Sequence, residues 1–151
     1  MTTASHPTPQ QITLLVHPLV DSGGYQHVEV GDSGGNVRDF YWTGIGTVGS
    51  QLVTPLHALG SAVTSLSVQY PGGVVYVYAA TSGGHTDEIY WGNGQGLDQR
   101  SVWYRSDTTW NGLSSQIDGS GVQQVFTAIA AGSIYDTHWT GIGTPSTNQV
   151  K

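Results

Sequence analysis

Between residues 25 and 139 the chain alternates apolar and polar side chains with the two-residue period of β-strands, and it does so three times. Aligned on tryptophan, three eighteen-residue segments match without a gap: YQHVEVGDSGGNVRDFYW (25–42), VVYVYAATSGGHTDEIYW (74–91) and VQQVFTAIAAGSIYDTHW (122–139). Val28, Val77 and Val125 open the alternation, and Gly35, Gly84 and Gly132 fall at the tight connection, where a positive φ suits glycine. Each segment predicts a β-hairpin closing on Trp42, Trp91 or Trp139. A further strand is predicted before each hairpin, in ITLLV (12–16), VTSLSV (63–68) and LSSQI (113–117). Another follows each tryptophan, in SQLVTPL (50–56), SVWYRS (101–106) and NQVK (148–151). The best helical stretch, LHALGSAV (56–63), is interrupted by Gly60.

The expectation is an all-β chain of three four-stranded repeats, at about 12–60, 61–110 and 111–151, after a loose N-terminal lead-in at 1–11. Four-stranded units with glycine-rich turns match β-propeller blades. Three blades are too few to close a ring, so this reading implies self-association, most simply two chains sharing six blades. A monomeric β-trefoil, also built from three four-stranded units, is the alternative.

Composition narrows the candidate chemistry. Only 9% of residues are charged, against about 25% in ordinary domains. Solubility then rests on neutral Ser, Thr, Gln and Asn, a surface suited to neutral, hydroxyl-rich ligands. The net charge of −6 leaves no basic stripe for nucleic acid or anionic membranes. The chain contains no cysteine, which excludes disulfides and thiolate metal sites. The polar start MTTASHPTPQQ lacks the pattern of a signal peptide, so the expectation is a cytoplasmic protein, with release by a non-classical route as the alternative.

The hairpin motif, an alternating strand, a glycine turn and then acidic-x-aromatic-Trp, resembles the fucose-binding type of β-propeller lectin and the broader tectonin-like repeats. VVYVYAATSGGHTDEIYWGNGQG (74–96) is the closest stretch, with Glu88 at the family's sugar-binding glutamate, three residues before the tryptophan. Asp39 and Asp136 occupy the same column. The resemblance implies sugar sites that repeat around the ring, and short chains that build it by oligomerising. The chain departs from the family in the column of its sugar-clamping arginine, which holds His27, Tyr76 and Gln124.

Sugar binding needs aromatic faces for C–H patches and planar polar groups for hydroxyls. Asp39 with Tyr41 and Trp42, Glu88 with Tyr90 and Trp91, and Asp136 with His138 and Trp139 supply both; Tyr76 is a further aromatic candidate in the second repeat. Residues three apart on a strand face opposite sides, so acid and tryptophan of one repeat need not meet. A site between repeats, with an acid from one and an aromatic from the next, is the more natural geometry. Trp103 and Trp110 lie outside the repeated columns, and Trp110, within SDTTWNG (106–112), reads as an exposed contact residue.

Acids repeated at one column suggest repeated binding sites rather than one asymmetric acid–base pair. GDSGG (31–35) reads as turn composition, and the six histidines form no HxH or HxxxH pair, so metal ligands could meet only by tertiary convergence. The sequence predicts a non-enzymatic carbohydrate-binding protein, without cofactor or metal, acting on glycans as a homo-oligomer. The alternative is a self-assembling scaffold or protein-interaction module without a sugar site.

Overall fold

A computed structural model describes residues 18–54, 59–106 and 109–151, together with the strand pairing of Ile12 and Thr13. The described residues form thirteen strands in three antiparallel sheets and no helix. The first sheet contains β1 (Ile12–Thr13), β2 (Pro18–Val20), β3 (Tyr25–Asp32), β4 (Val37–Thr43) and β5 (Gly49–Leu52). β1 and β2 both pair with β3, so they share one strand position in a sheet four strands wide. The second sheet runs in chain order through β6 (Val63–Gln69), β7 (Val74–Thr81), β8 (His85–Gly92) and β9 (Gln95–Tyr104). The third does the same through β10 (Trp110–Ile117), β11 (Val122–Ile129), β12 (Ile134–Thr140) and β13 (Ser146–Gln149).

Each predicted hairpin is the central pair of one sheet, and the register is the same in all three. Asp39 lies opposite Glu29, Glu88 opposite Tyr78, and Asp136 opposite Phe126. Gly35, Gly84 and Gly132 take φ values of 80°, 83° and 87° at the hairpin turns. Sheet hydrogen bonds stay within each repeat. That rules out the trefoil alternative, in which strands of different units pair around a common barrel.

The sheets stand side by side, with β6 packed against β3 on one side and β10 on the other. Hydrophobic burial drives the first junction: Val37, Val53, Val63, Val77 and Ile89 lie within one cluster and are shut off from water. Each such side chain contributes about 1.5–3 kcal/mol by leaving water. The second junction adds polar pinning. The Ser67 and Ser115 hydroxyls hydrogen-bond at 2.7 Å, and the Gln69 amide donates to the Ser115 carbonyl at 2.8 Å.

Sequence expectations change at Trp110 and at the start of β9. Trp110 is not an exposed loop residue: it opens β10 and is completely buried, packed with Trp103, Tyr135, Ala80 and Ile129. A tryptophan that joins two sheets outweighs the polar composition around it, because few side chains bury more area. The strand expected at 101–106 begins six residues earlier, at Gln95, directly after the Gly94 turn. Residues 1–11, 14–16 of ITLLV, 55–58 in SQLVTPL and LHALGSAV, and 107–108 of SDTTWNG lie outside the described residues.

A Cβ at Gly35 would sit 2.7 Å from the Ser61 carbonyl oxygen and 3.0 Å from the Leu59 nitrogen, whereas one at Gly132 would meet nothing within 4 Å. Gly132→Ala should therefore cost only the left-handed penalty of about 1–2 kcal/mol, and Gly35→Ala about 3 kcal/mol or more, in urea denaturation. Burial also raises the Asp87 carboxyl to about 7. Its contribution is therefore fully present below the unfolded value near 4 and is lost as pH rises through about 7. Thermal scans should show the midpoint falling across that interval, and Asp87→Asn should flatten the fall.

Candidate functional site

The junction of the second and third sheets gathers the richest chemistry. Glu88 on β8 is 1% exposed, and it faces Arg100, its register partner on β9. The Arg100 Nε–H donates to Glu88 Oε2 at 2.5 Å. The rest of the guanidinium crosses to the third sheet. Its Nη1 donates to the Gly143 carbonyl at 3.2 Å, and Nη2 to the Gly141 carbonyl at 3.3 Å. Arg100 also lies over the Trp139 ring, 5.4 Å from its centroid. One side chain thus neutralises a buried acid, covers an indole and holds the turn after β12.

That turn belongs to the repeated hexapeptide. Gly141 has a φ of 56°, and the Gly143 N–H donates to the Thr140 carbonyl at 2.9 Å, turning two carbonyls toward Arg100. Gln123 braces the turn from behind. Its amide donates to the Gly141 carbonyl at 3.3 Å and accepts from the Tyr78 hydroxyl at 2.7 Å.

Burial raises the Glu88 carboxyl above its ordinary value, while Arg100 and the nearby Trp139 indole act against that shift. Trp139 Nε1 is close enough to favour the charge, yet neither it nor Glu88 Oε1 completes a hydrogen bond. A buried acceptor and a buried donor are thus left open at one place. Buried polar atoms are seldom left so, and such exceptions mark functional candidates.

A cavity of about 140 Å³ opens onto Glu88, lined also by Tyr76, Tyr90, Gln95, Gly141 and Ile142. Tyr76 and Tyr90 face each other across β7 and β8 with rings 5.9 Å apart and 29° from parallel. The Tyr90 hydroxyl donates to Asp98 at 2.7 Å, which raises its pKa to about 12 and fixes the ring. Ile142, 85% exposed, supplies an apolar rim from the third sheet. A carboxylate, a rigid tyrosine pair, the Gln95 amide and an apolar lip therefore border one small cavity, with the Arg100 guanidinium bonded to the carboxylate.

The equivalent place on the first sheet is built differently. Asp39 is fully buried; its carboxylate meets His27 Nδ1 at 3.0 Å and accepts from the Gln51 amide at 3.0 Å. Tyr41 packs by His27 and, edge-on, by Tyr25, and these residues with Asp21 line a cavity of about 220 Å³. Glu29, opposite Asp39, is fully buried with neither carboxylate oxygen hydrogen-bonded; burial, then the Asp39 charge, raise its pKa to about 8. On the third sheet Asp136 is half-buried, with His138 Nδ1 3.4 Å from one oxygen and the other oxygen open.

The three acids therefore occupy equivalent positions in unlike surroundings. Trp139 is buried beneath Arg100, and Trp91 packs half-buried against the first core cluster. Trp42 is half-buried at the outer sheet, while Trp103 and Trp110 join the second and third sheets away from the Glu88 cavity. The expected geometry, an acid from one repeat beside an aromatic from the next, is realised by Glu88 and Trp139. Sequence reasoning missed Arg100. Its signal was a constant interval: Gln51, Arg100 and Asn148 each lie twelve residues after an acid and pair with it across the sheet. An arginine thus reaches the second acid from the strand that follows the hairpin.

No protein-family model and no curated protein sequence matches the chain. Its structure is similar to that of a fucose lectin from Kordia zhangzhouensis in complex with methyl-fucoside. The superposition has a TM-score of 0.52 at 15% identity and covers 87% of this chain and 95% of that one. That likeness establishes the fold, with each sheet a propeller blade.

Removing Arg100 would leave the Glu88 carboxylate buried without its cation. Arg100→Met should destabilise the protein by about 2–3 kcal/mol, less than for a fully buried pair because the guanidinium is partly exposed. Adding Glu88→Gln should restore part of the loss in urea titrations. Equal, additive losses would show that the two side chains are not coupled.

Proposed function

We propose that this protein is a carbohydrate-binding protein, a lectin, whose best-formed site is the cavity between the second and third blades. The observation that carries the reading is the open Glu88 carboxylate oxygen, held beside Arg100 and bordered by the Tyr76–Tyr90 pair. A neutral pyranose presents adjacent hydroxyls and an apolar C–H face, and this cavity offers a counterpart to each. Glu88 accepts from hydroxyls, the Gln95 amide at the cavity wall donates, and the tyrosine pair or Ile142 covers the apolar face. The cavity's small volume suits one sugar ring. The ligand-bound fucose lectin supports the reading by fold and by the class of ligand it holds.

Two outer faces support assembly into a closed ring. The third sheet presents Phe126, Ala128, Ile134 and Leu113 in an apolar groove, with Asp136 on the same side as its register partner Phe126. The first sheet carries Trp42–Thr47 at the end of β4 and in the turn after it, a hexapeptide identical to Trp139–Thr144, with Ile45 fully exposed where Ile142 rims the Glu88 cavity. Two chains related by a two-fold axis would set these faces together twice and complete six blades. Asp136 and Asn148 would then meet the partner's turn as Glu88 and Arg100 meet theirs. Several weak sites on one rigid ring would give avidity for multivalent glycans.

A glycan array probed with tag-free protein should give binding competed by a free monosaccharide. Glu88→Gln and Tyr90→Ala should each weaken that binding at least tenfold while remaining folded. A blank array at high protein concentration would contradict the lectin reading and leave a self-assembling scaffold. Light scattering should return twice the 16.0 kDa chain mass, and Phe126→Glu should return the single chain.

A further inference from the structure

Glu29 is the least expected side chain in the molecule. Its column holds Tyr78 in the second sheet and Phe126 in the third. Tyr78 extends its hydroxyl to Gln123 of the following sheet. In the first repeat, the residue of the following sheet in the Gln123 column is Val75, which offers no polar group. Glu29 therefore places a carboxylate with no exposure where the neighbouring blade cannot answer it, and both oxygens are left without a hydrogen-bond partner.

Its own sheet surrounds it with metal-ligand atoms. His27 lies two residues earlier on the same face of β3, and Asp39 sits directly across on β4. One ligand atom each from His27, Glu29 and Asp39 fall within 4.8 Å of one another, and all three residues are buried. Donors bound at about 2.0–2.2 Å around a tetrahedral ion stand roughly 3.3 Å apart, so this spread needs only small side-chain adjustments. The surrounding groups suit the same task. The Gln51 amide holds one Asp39 oxygen, and with His27 Nδ1 turned to Asp39, Nε2 lies 3.6 Å from Asp21 Oδ2. An outer carboxylate or amide of this kind orients ligands in established metal sites.

We propose that His27, Glu29 and Asp39 form a binding site for a divalent transition metal of the zinc type. One imidazole with two carboxylates suits zinc, whereas calcium takes six to eight oxygens and magnesium keeps several waters. Three protein ligands leave a fourth position, and the cavity of about 220 Å³ lined by Tyr25, His27, Asp39 and Tyr41 adjoins it. The first blade then differs from the second in kind: a metal with an open position stands where the second blade carries its Glu88–Arg100 pair. This site does not depend on sugar binding at Glu88.

The test uses tag-free, EDTA-treated, full-length protein titrated calorimetrically with zinc chloride, with magnesium chloride as the comparison. The expected result is saturation at one zinc per chain, a rise in thermal midpoint with zinc, and no response to magnesium. Cobalt(II) should give the visible absorption bands of a low-symmetry site. Glu29→Gln and His27→Gln should each weaken zinc binding tenfold or more. Glu29→Gln is nearly isosteric and removes the buried acid, so it keeps the fold. Absence of saturable zinc binding would overturn the proposal and leave Glu29 a buried, protonated acid. Zinc binding that survives both substitutions would overturn it too, by placing the ion elsewhere.

Discussion

The guanidinium of Arg100 is the point on which the second and third blades depend. Glu88 cannot be ionised at its depth without a cation, and the turn after β12 needs a donor for the Gly141 and Gly143 carbonyls. One planar group with a fixed fork meets both requirements and still covers the Trp139 face. A lysine would offer a point charge without that plane. The buried acid, the cross-blade turn and the stacked indole are therefore one arrangement, and the cavity beside them inherits its rigidity.

That arrangement also explains why three copies of one hairpin do not make three copies of one site. The register is common to the sheets, so Asp39, Glu88 and Asp136 arrive at equivalent places. The partner twelve residues on differs: Gln51 supplies an amide, Arg100 a charge, and Asn148 a shorter amide. The column opposite the acid differs as well, with Glu29, Tyr78 and Phe126. A repeated backbone fixes where chemistry can occur, and these neighbouring columns decide which chemistry it is.

The sheets were legible in the sequence because period-two alternation and the glycines at 35, 84 and 132 are local signals, strong within one hairpin. The acid columns were legible for the same reason. Arg100 was not, since the strand that carries it follows a glycine-rich turn, and bulges in the β8–β9 pairing obscure the register. Trp110 was misread because its neighbours in sequence are polar, while its neighbours in space are Trp103 and Tyr135. The His27–Glu29–Asp39 cluster joins residues ten and twelve positions apart through a hairpin, a spacing that no short metal motif encodes.

The most direct test is a nuclear magnetic resonance titration that follows the five tryptophan indole N–H signals as monosaccharides are added, beginning with methyl-fucoside. A binding sugar should shift the Trp139 indole, which lies beside Glu88 and beneath Arg100, and leave Trp103 and Trp110 unmoved. Shifts at Trp103 and Trp110 with Trp139 silent, or no shift with any sugar at high concentration, would contradict it.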